Sequence, residues 1–274
     1  MLRFSGAGVT DVGKVRDHNE DSAFMAPYVA LVADGVGGAA AGEVASATTA
    51  YVVSAHALAH FGSDPAQLIR DAVVSARENL ERGVQSDLMR AGMATTLTAL
   101  ITDGTRIVLG HIGDSRGYLF AEGQLTRISS DHTYVQRLVD AGQLDPDAAR
   151  RHPWRNVVVR SLNADPSLQD IESPEGLDIV ELEARVGDRY LLCSDGVTDL
   201  VSDERIAEVL LIADPHSAAA RLVEDALLAG GTDNATCLVF DVIDGPQVTG
   251  DGMLIGAVID LGNVVDAAAV HIVD

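Results

Sequence analysis

The sequence predicts an α+β fold, and three observations predict it. Short apolar runs of strand length are interspersed with longer helical stretches rather than alternating one for one. Turn signals such as Asp103-Gly104 and Glu122-Gly123 sit between or after several of those runs, which makes hairpins of them. Hairpins require antiparallel pairing, which argues against a doubly wound parallel sheet. The chain has 274 residues, 47% hydrophobic and 22% charged. That composition is globular, and a single large core is the simplest organisation.

Each element follows from local pattern. Residues 2–10 read as an opening strand. YVALVAD at 28–34 is an apolar run ending in Asp34, so it reads as a buried strand whose end carries chemistry. Residues 40–60 are Ala-rich with few breakers and predict a helix. Pro65 opens a second helix, a position where its missing N–H costs nothing. Residues 95–101, 106–113 and 115–123 predict a strand meander. Residues 131–163 differ in character: they are polar, with Arg, His, Pro146 and Pro153. Residues 178–185 and 188–195 read as two more strands with a turn at 186–188. Helices follow at 203–212 and 215–229, then a strand at 234–244. The apolar segment 253–265 is interrupted by Asp260 and two glycines, so it reads as buried strand or turn.

Composition narrows the function. The formal net charge is −22, from 41 Asp+Glu against 19 Lys+Arg, and no basic stripe is present. Nucleic acid is therefore excluded as the expected partner. Bound divalent cations would offset part of the excess. Cys193 and Cys237 lie in apolar stretches and read as buried, reduced thiols, with the cytoplasm as the expected compartment. The first ten residues lack a signal-peptide core, and no uninterrupted apolar run reaches the roughly 18 residues a membrane span needs.

Five acidic motifs run along the chain: RDHNED at 16–21, ADGVGG at 33–38, GDSR at 113–116, SDGVTD at 194–199 and GTDN at 231–234. They supply Glu20, Asp21, Asp34, Asp114, Asp195, Asp199 and Asp233. Taken singly, each motif is better read as a turn, a helix cap, an Asx turn or a solvated loop than as a ligand set. Their joint occurrence carries the signal. Three separate apolar strands have an Asp at or beside one end, next to Gly or another small residue. A nearby loop offers Arg16, whose guanidinium fork suits phosphate oxygens. Asp195 and Asp199 are four apart and share a helix face. Carboxylates without His or Cys suit Mg²⁺ and Mn²⁺, and polynuclear sites of that kind typically hydrolyse phosphoesters.

In this order the five motifs resemble those of the metal-dependent Ser/Thr protein phosphatases of type 2C, the PPM family, in their compact bacterial form, across residues 5–243. The resemblance implies an α-β-β-α sandwich of two stacked antiparallel sheets flanked by helices. It implies a catalytic domain over residues 1–243, with a flap at 131–163, and leaves residues 244–274 as an extension of no assigned role, expected to pack on the sheet edge. By resemblance, Asp34 would bridge two Mn²⁺ or Mg²⁺ ions, with Asp195 and Asp233 completing the first. The Gly35 carbonyl would bind the second, with Glu20 direct or through water. Asp114 with Asp195 or Asp199 would match a third, weaker site. Arg16 would hold the substrate phosphate while a metal-bridging hydroxide attacks phosphorus directly. In the flap, His132, Thr133, Arg151, His152 and Arg155 would touch substrate, and Trp154 would anchor the segment by burying its ring.

Two departures from the family pattern stand out. Val36 replaces a His that animal members carry as a proposed acid, so a metal-bound water is the first candidate acid and His111 the second. Strand alternation places His111 on the face opposite Asp114, as a structural residue. Ala94 stands where relatives usually have Gly, which is tolerable if its backbone needs no positive φ. The implied substrates are phosphoserine and phosphothreonine in proteins, on a Ser/Thr kinase and its targets, with the protein acting as a monomer. Two other readings remain open: a catalytically silent module that binds phosphoproteins, and a hydrolase of small phosphate esters.

Overall fold

The computed structural model describes residues 1–36, 41–165, 176–249 and 252–266. The chain opens with β1 (Leu2–Asp11), the hairpin β2 (Asp21–Ala26) and β3 (Val29–Val36), and two long helices, α1 (Gly42–Ala59) and α2 (Pro65–Ser86). A meander follows: β4 (Ala94–Thr95), β5 (Leu97–Thr102), β6 (Ile107–Ile112), β7 (Arg116–Ala121) and β8 (Gln124–Arg127). The 131–163 segment contains α3 (Tyr134–Asp140), α4 (Pro146–Ala149) and β9 (Leu162–Asn163). Then come β10 (Asp178–Leu182), β11 (Arg189–Cys193), α5 (Asp195–Thr198), α6 (Asp203–Val209), α7 (Pro215–Leu228), β12 (Ala235–Asp244) and β13 (Met253–Gly256).

Two sheets form. One has the order β1-β12-β11-β7-β8, the other β10-β6-β5-β3-β2-β13, and the pairings along both are antiparallel. Apolar side chains explain the layering. On β3, Ala30 and Val32 pack with Tyr190, Leu238 and Phe240 of the opposite sheet, while Leu31 packs with α1 and α2 residues such as Val53 and Ile69. Both faces of β3 are buried, which is why it reads as a continuous apolar run rather than an alternating one. On the far side, α6 and α7 cover the other sheet with Ile206, Ala219 and Leu222 against Leu191 and Val239. The result is helices, sheet, sheet, helices, as the type 2C resemblance implies.

Local chemistry sets the helix ends. Asp64 caps α2, its carboxylate accepting from the Ala66 and Gln67 N–H groups at 2.8 and 3.1 Å, with Pro65 in the first turn. Ala94 lies within β4 and is not among the positive-φ residues, so its methyl is accommodated.

Residues 253–265 add an edge strand and a clasp. β13 pairs with β2, and Val258, Val264 and Val265 enter the core beneath α1 and α2. Residues 267–274 of the extension lie outside the described residues, as do Gly37 and Gly38 of the second acidic motif.

The expectation for Trp154 is corrected. Its ring is 57% exposed. It meets Tyr134 edge-on with centroids 5.4 Å apart and His152 at 6.0 Å, so it is a surface cluster that holds the segment, not a buried anchor.

Candidate active site

The backbone at Asp34 is clamped on both sides. Its N–H donates to Thr96 Oγ1 at 2.9 Å, and its carbonyl accepts from the Thr96 N–H at 2.8 Å and the Thr95 hydroxyl at 2.9 Å. Gly35 follows. A Cβ there would fall 2.5 Å from the Gly42 carbonyl carbon and 2.9 Å from the Glu20 carbonyl oxygen. Glycine at 35 therefore lets the start of α1 and the Glu20 loop close against β3.

The second sheet delivers the other acids. Asp195 opens α5 two residues after β11 ends, and Asp199 closes that turn with its N–H donating to the Asp195 carbonyl at 2.8 Å. Asp233 precedes β12. Asn234 beside it ties the N-terminal loop down: Nδ2 donates to the Val12 and His18 carbonyls at 2.8 and 2.9 Å, and Oδ1 accepts the Glu20 N–H at 2.8 Å. Ser194 links the two sheets, its hydroxyl donating to Asp21 at 2.7 Å and accepting the Thr236 N–H at 3.0 Å. A Cβ on Gly196 would lie 1.9 Å from the Asn234 carbonyl oxygen, so only glycine lets α5 approach β12 this closely.

These segments meet at a cleft of about 210 Å³. Arg16, Glu20, Asp34, Asp114, Asp195 and Asp233 line it, with Gly35 and Val36 from β3 and Asn156 and Val158 from the flap. Burial and mutual repulsion raise the carboxylate pKa values. Asp34 is held well above the usual range by desolvation, then by the charges of Asp21, Asp195, Asp114 and Asp233. Asp195 is raised in the same way by desolvation, then Asp114, Asp199 and Asp233. Desolvation first pushes Asp114 up to about 7 and Asp21 up to about 6. Asp34 and Asp195 keep a partly open surface toward the cleft, yet protein surrounds their carboxylates closely enough for desolvation to lead.

An acid cluster of this kind calls for cations. Arg16 supplies one, with Nη2 2.7 Å from Asp233 Oδ2 and Nη1 4.0 Å from Glu20. Among the described residues, no three His, Cys, Asp or Glu side chains close by themselves into a ligand cage. The donor set still fits Mg²⁺ or Mn²⁺, because such ions complete their shells with carbonyls and water rather than protein carboxylates alone.

Comparison with known proteins gives the same answer as the cleft. The family model described as protein phosphatase 2C matches residues 16–227. The chain belongs to the protein phosphatase 2C family. It is 43% identical over 263 residues to the serine/threonine protein phosphatase PstP of Mycobacterium tuberculosis, covering 94% of this chain and 48% of that one. The chain thus spans about half the length of that relative. It is 30% identical to the serine/threonine phosphatase stp of Listeria monocytogenes, over 85% of this chain and 93% of that one. A crystal structure of the PstP catalytic domain in complex with two manganese ions superposes with a TM-score of 0.77 at 42% identity, covering 89% of this chain and all of that one.

Not every residue expected at the 2C-family site lines the cleft. Asp199 sits at its edge, accepting from Asn156 Nδ2 at 2.8 Å, with Arg155 Nε at 3.9 Å. His132 is buried: its Nδ1 accepts the Gly113 N–H at 3.1 Å and its Nε2 lies 3.0 Å from Asp178. Thr133 caps α3, accepting the Gln136 N–H at 3.2 Å. Neither Arg151 nor His152 lines the cleft. His111 is fully buried between the Thr98 hydroxyl and the Ser130 carbonyl, each at 3.0 Å, and holds no position for proton transfer in the cleft. Reading the motifs for acids alone missed Asn156, Ser194 and Asn234. Ser194 and Asn234 were visible as the flanking letters of two motifs.

Proposed function

We propose that the chain is a Mn²⁺- or Mg²⁺-dependent protein-serine/threonine phosphatase that cleaves phosphoserine and phosphothreonine esters by direct attack of water. One observation carries this reading: acids from all five motifs, spread from residue 20 to 233, border one cleft with an arginine at its rim. In this assignment Asp34, Asp195 and Asp233 would hold one ion, and the Gly35 carbonyl and Glu20, with Asp34, would hold a second. Asp114 with Asp195 or Asp199 would provide a weaker third position. Bound, the ions would supply an activated water and neutralise charge at phosphorus. Arg16 orients the phosphoryl group through two of its oxygens. Thr95, Thr96 and Asn234 keep the liganding backbone fixed, so little reorganisation is required during reaction.

The names of the PstP and stp relatives support phosphoproteins as substrates, and we place a Ser/Thr kinase and its targets among them. The reading assigns the protein to the cytoplasm as a monomer. Among the described residues no helix is long and apolar enough to cross a membrane, and Cys193 and Cys237 are buried free thiols, which suits a reducing compartment.

The test is hydrolysis of an aryl phosphate and of a phosphothreonine peptide with Mn²⁺ and then with chelator. Turnover that needs metal is the expected result. Metal-replete protein that binds phosphopeptide without turnover would instead establish a silent binding module, and a strong kcat/KM preference for sugar phosphates would establish a small-ester hydrolase.

A further inference from the structure

A second cavity, of about 500 Å³, lies between the flap helices α3 and α4 and the α5–α6 turn. Arg155 and Asp199 line it, while Asn156, which lines the acidic cleft, bonds Asp199 at 2.8 Å. The Asn156–Asp199 contact therefore forms a wall common to both spaces.

The charge balance of this cavity reverses that of the chain. Four arginines line it, Arg116, Arg127, Arg150 and Arg155, against two carboxylates, Asp131 and Asp199. The chain as a whole has 19 Lys+Arg against 41 Asp+Glu. The local acids also leave donors over. Asp131 is committed to Arg116, which binds it through Nη2 at 2.6 Å and Nε at 3.0 Å. Arg127 meets the same carboxylate at only 3.5 Å, Arg150 meets Asp203 at 3.5 Å, and Arg155 meets Asp199 at 3.9 Å. Those three separations exceed the roughly 2.7–2.9 Å of a strong charge-assisted bond. Each guanidinium offers five N–H donors in a planar fork that matches a tetrahedral or carboxylate oxyanion.

We propose that this cavity is a second oxyanion subsite, which receives a phosphoryl or carboxylate group carried by the same polypeptide whose phosphoester enters the acidic cleft. The inference rests on the phosphatase reading and deepens it, since it names a substrate class: phosphopeptides with a second negative group close to the scissile one. The acidic cleft reacts; the arginine cavity selects. Arg127 and Arg150 carry the selection, because Arg116 is neutralised by Asp131 and Arg155 faces Asp199 at the wall shared with the acidic cleft.

The test uses Mn²⁺-loaded protein and peptides with one phosphothreonine and, at successive neighbouring positions, a second phosphothreonine, Asp or Ala. kcat/KM is compared for wild type, Arg127→Gln and Arg150→Gln, with an aryl phosphate as the substrate too small to span both spaces. The wild type is expected to favour one register of the doubly charged peptides about tenfold, a difference of ~1.4 kcal/mol, mainly through KM. Arg150→Gln or Arg127→Gln removes most of that preference and leaves aryl phosphate turnover unchanged. Arg150 is 61% exposed, so that variant folds normally. A second phosphothreonine preferred over Asp identifies a phosphoryl site, and equal preference identifies a general oxyanion site. Equal rates on all peptides overturn the inference, as does a preference that survives both substitutions. Absence of turnover on every peptide and on the aryl phosphate overturns the phosphatase reading instead.

Discussion

Asp21 and Asp34 stand directly opposite each other in the β2–β3 ladder. Like charges in that position destabilise an antiparallel pair, and Asp21 is only 1% exposed. Burial and the neighbouring acids raise both pKa values, Asp21 to about 6 and Asp34 well above its ordinary range. The fold tolerates this arrangement because Ser194 donates to Asp21 and the Thr95–Thr96 pair holds the Asp34 backbone. Electrostatic strain concentrated at one cleft of an otherwise well-packed sandwich points to a site shaped for cations.

Asp34→Ala and Asp195→Ala each lower kcat on an aryl phosphate with Mn²⁺ by at least about 10²–10³-fold, the loss typical of removing one preorganised electrostatic group. In chelator the same variants melt higher than wild type, because one member of a mutually repelling set is gone. Calorimetry with and without Mn²⁺ checks the second half; a lower melting temperature in chelator would contradict the repulsion.

Asp21→Asn keeps the shape and still accepts from Ser194. It removes a charge that faces Asp34 without touching the residues assigned to the ions. Titration calorimetry should find Mn²⁺ bound roughly 10–100-fold more weakly, as for other outer-shell changes. Unchanged affinity would limit Asp21 to a structural role.

Asn234→Ala strips partners from the Val12 and His18 carbonyls and the Glu20 N–H. Leaving such groups unsatisfied costs about 1–3 kcal/mol each when buried, so a loss of ~2–4 kcal/mol is expected by chemical denaturation. Mn²⁺ affinity falls with it, because the Glu20 loop is released. A drop in stability with full affinity would show that the loop holds its place without Asn234.

His111 gives a pH signature. Burial pushes its pKa down to about 4, below the ordinary 6.5. Between those values the unfolded chain holds a proton there that the folded chain does not, so this residue makes stability rise with pH. Its contribution is complete above pH 6.5 and is lost as pH falls toward 4, by at most ~3 kcal/mol. The raised carboxylates act in the opposite sense, so the measurement is the difference between wild type and His111→Gln across that window. A pH-independent difference would show that His111 keeps its ordinary pKa in the fold.

Deletion of residues 252–274 removes Ile255, Val258, Val264 and Val265 from the two cores they enter. Each buried aliphatic side chain is worth up to about 1.5–3 kcal/mol. The shortened protein is expected to melt well below the full chain, and an unchanged melting temperature would show that β13 contributes no stability to β2.

Most of the layered fold was legible in the sequence. Residues 29–33, 190–193 and 237–240 are apolar on consecutive positions, and each lies in a strand buried on both faces. β2 and β8 were not read. Asp21–Ala26 follows a charged loop without a turn signal, and Gln124–Arg127 is short and half-exposed. At the site the acids were legible and several of their supports were not. Flap residues chosen for polarity, His132 and Thr133, are consumed inside the fold. Thr133 accepts from the nearby Gln136 N–H as a helix cap, while His132 is held by Gly113 and Asp178, 19 and 46 positions away, where no local pattern points.

The sequence alone determined where most strands and the long helices lie and which positions offer oxygen ligands, since periodicity, capping and turn chemistry act over a few residues. Tertiary structure alone decided which of those oxygens meet. Glu20 and Asn234 are 214 positions apart yet share a hydrogen bond. Sheet register and the packing of two layers create that proximity, and no local pattern encodes it.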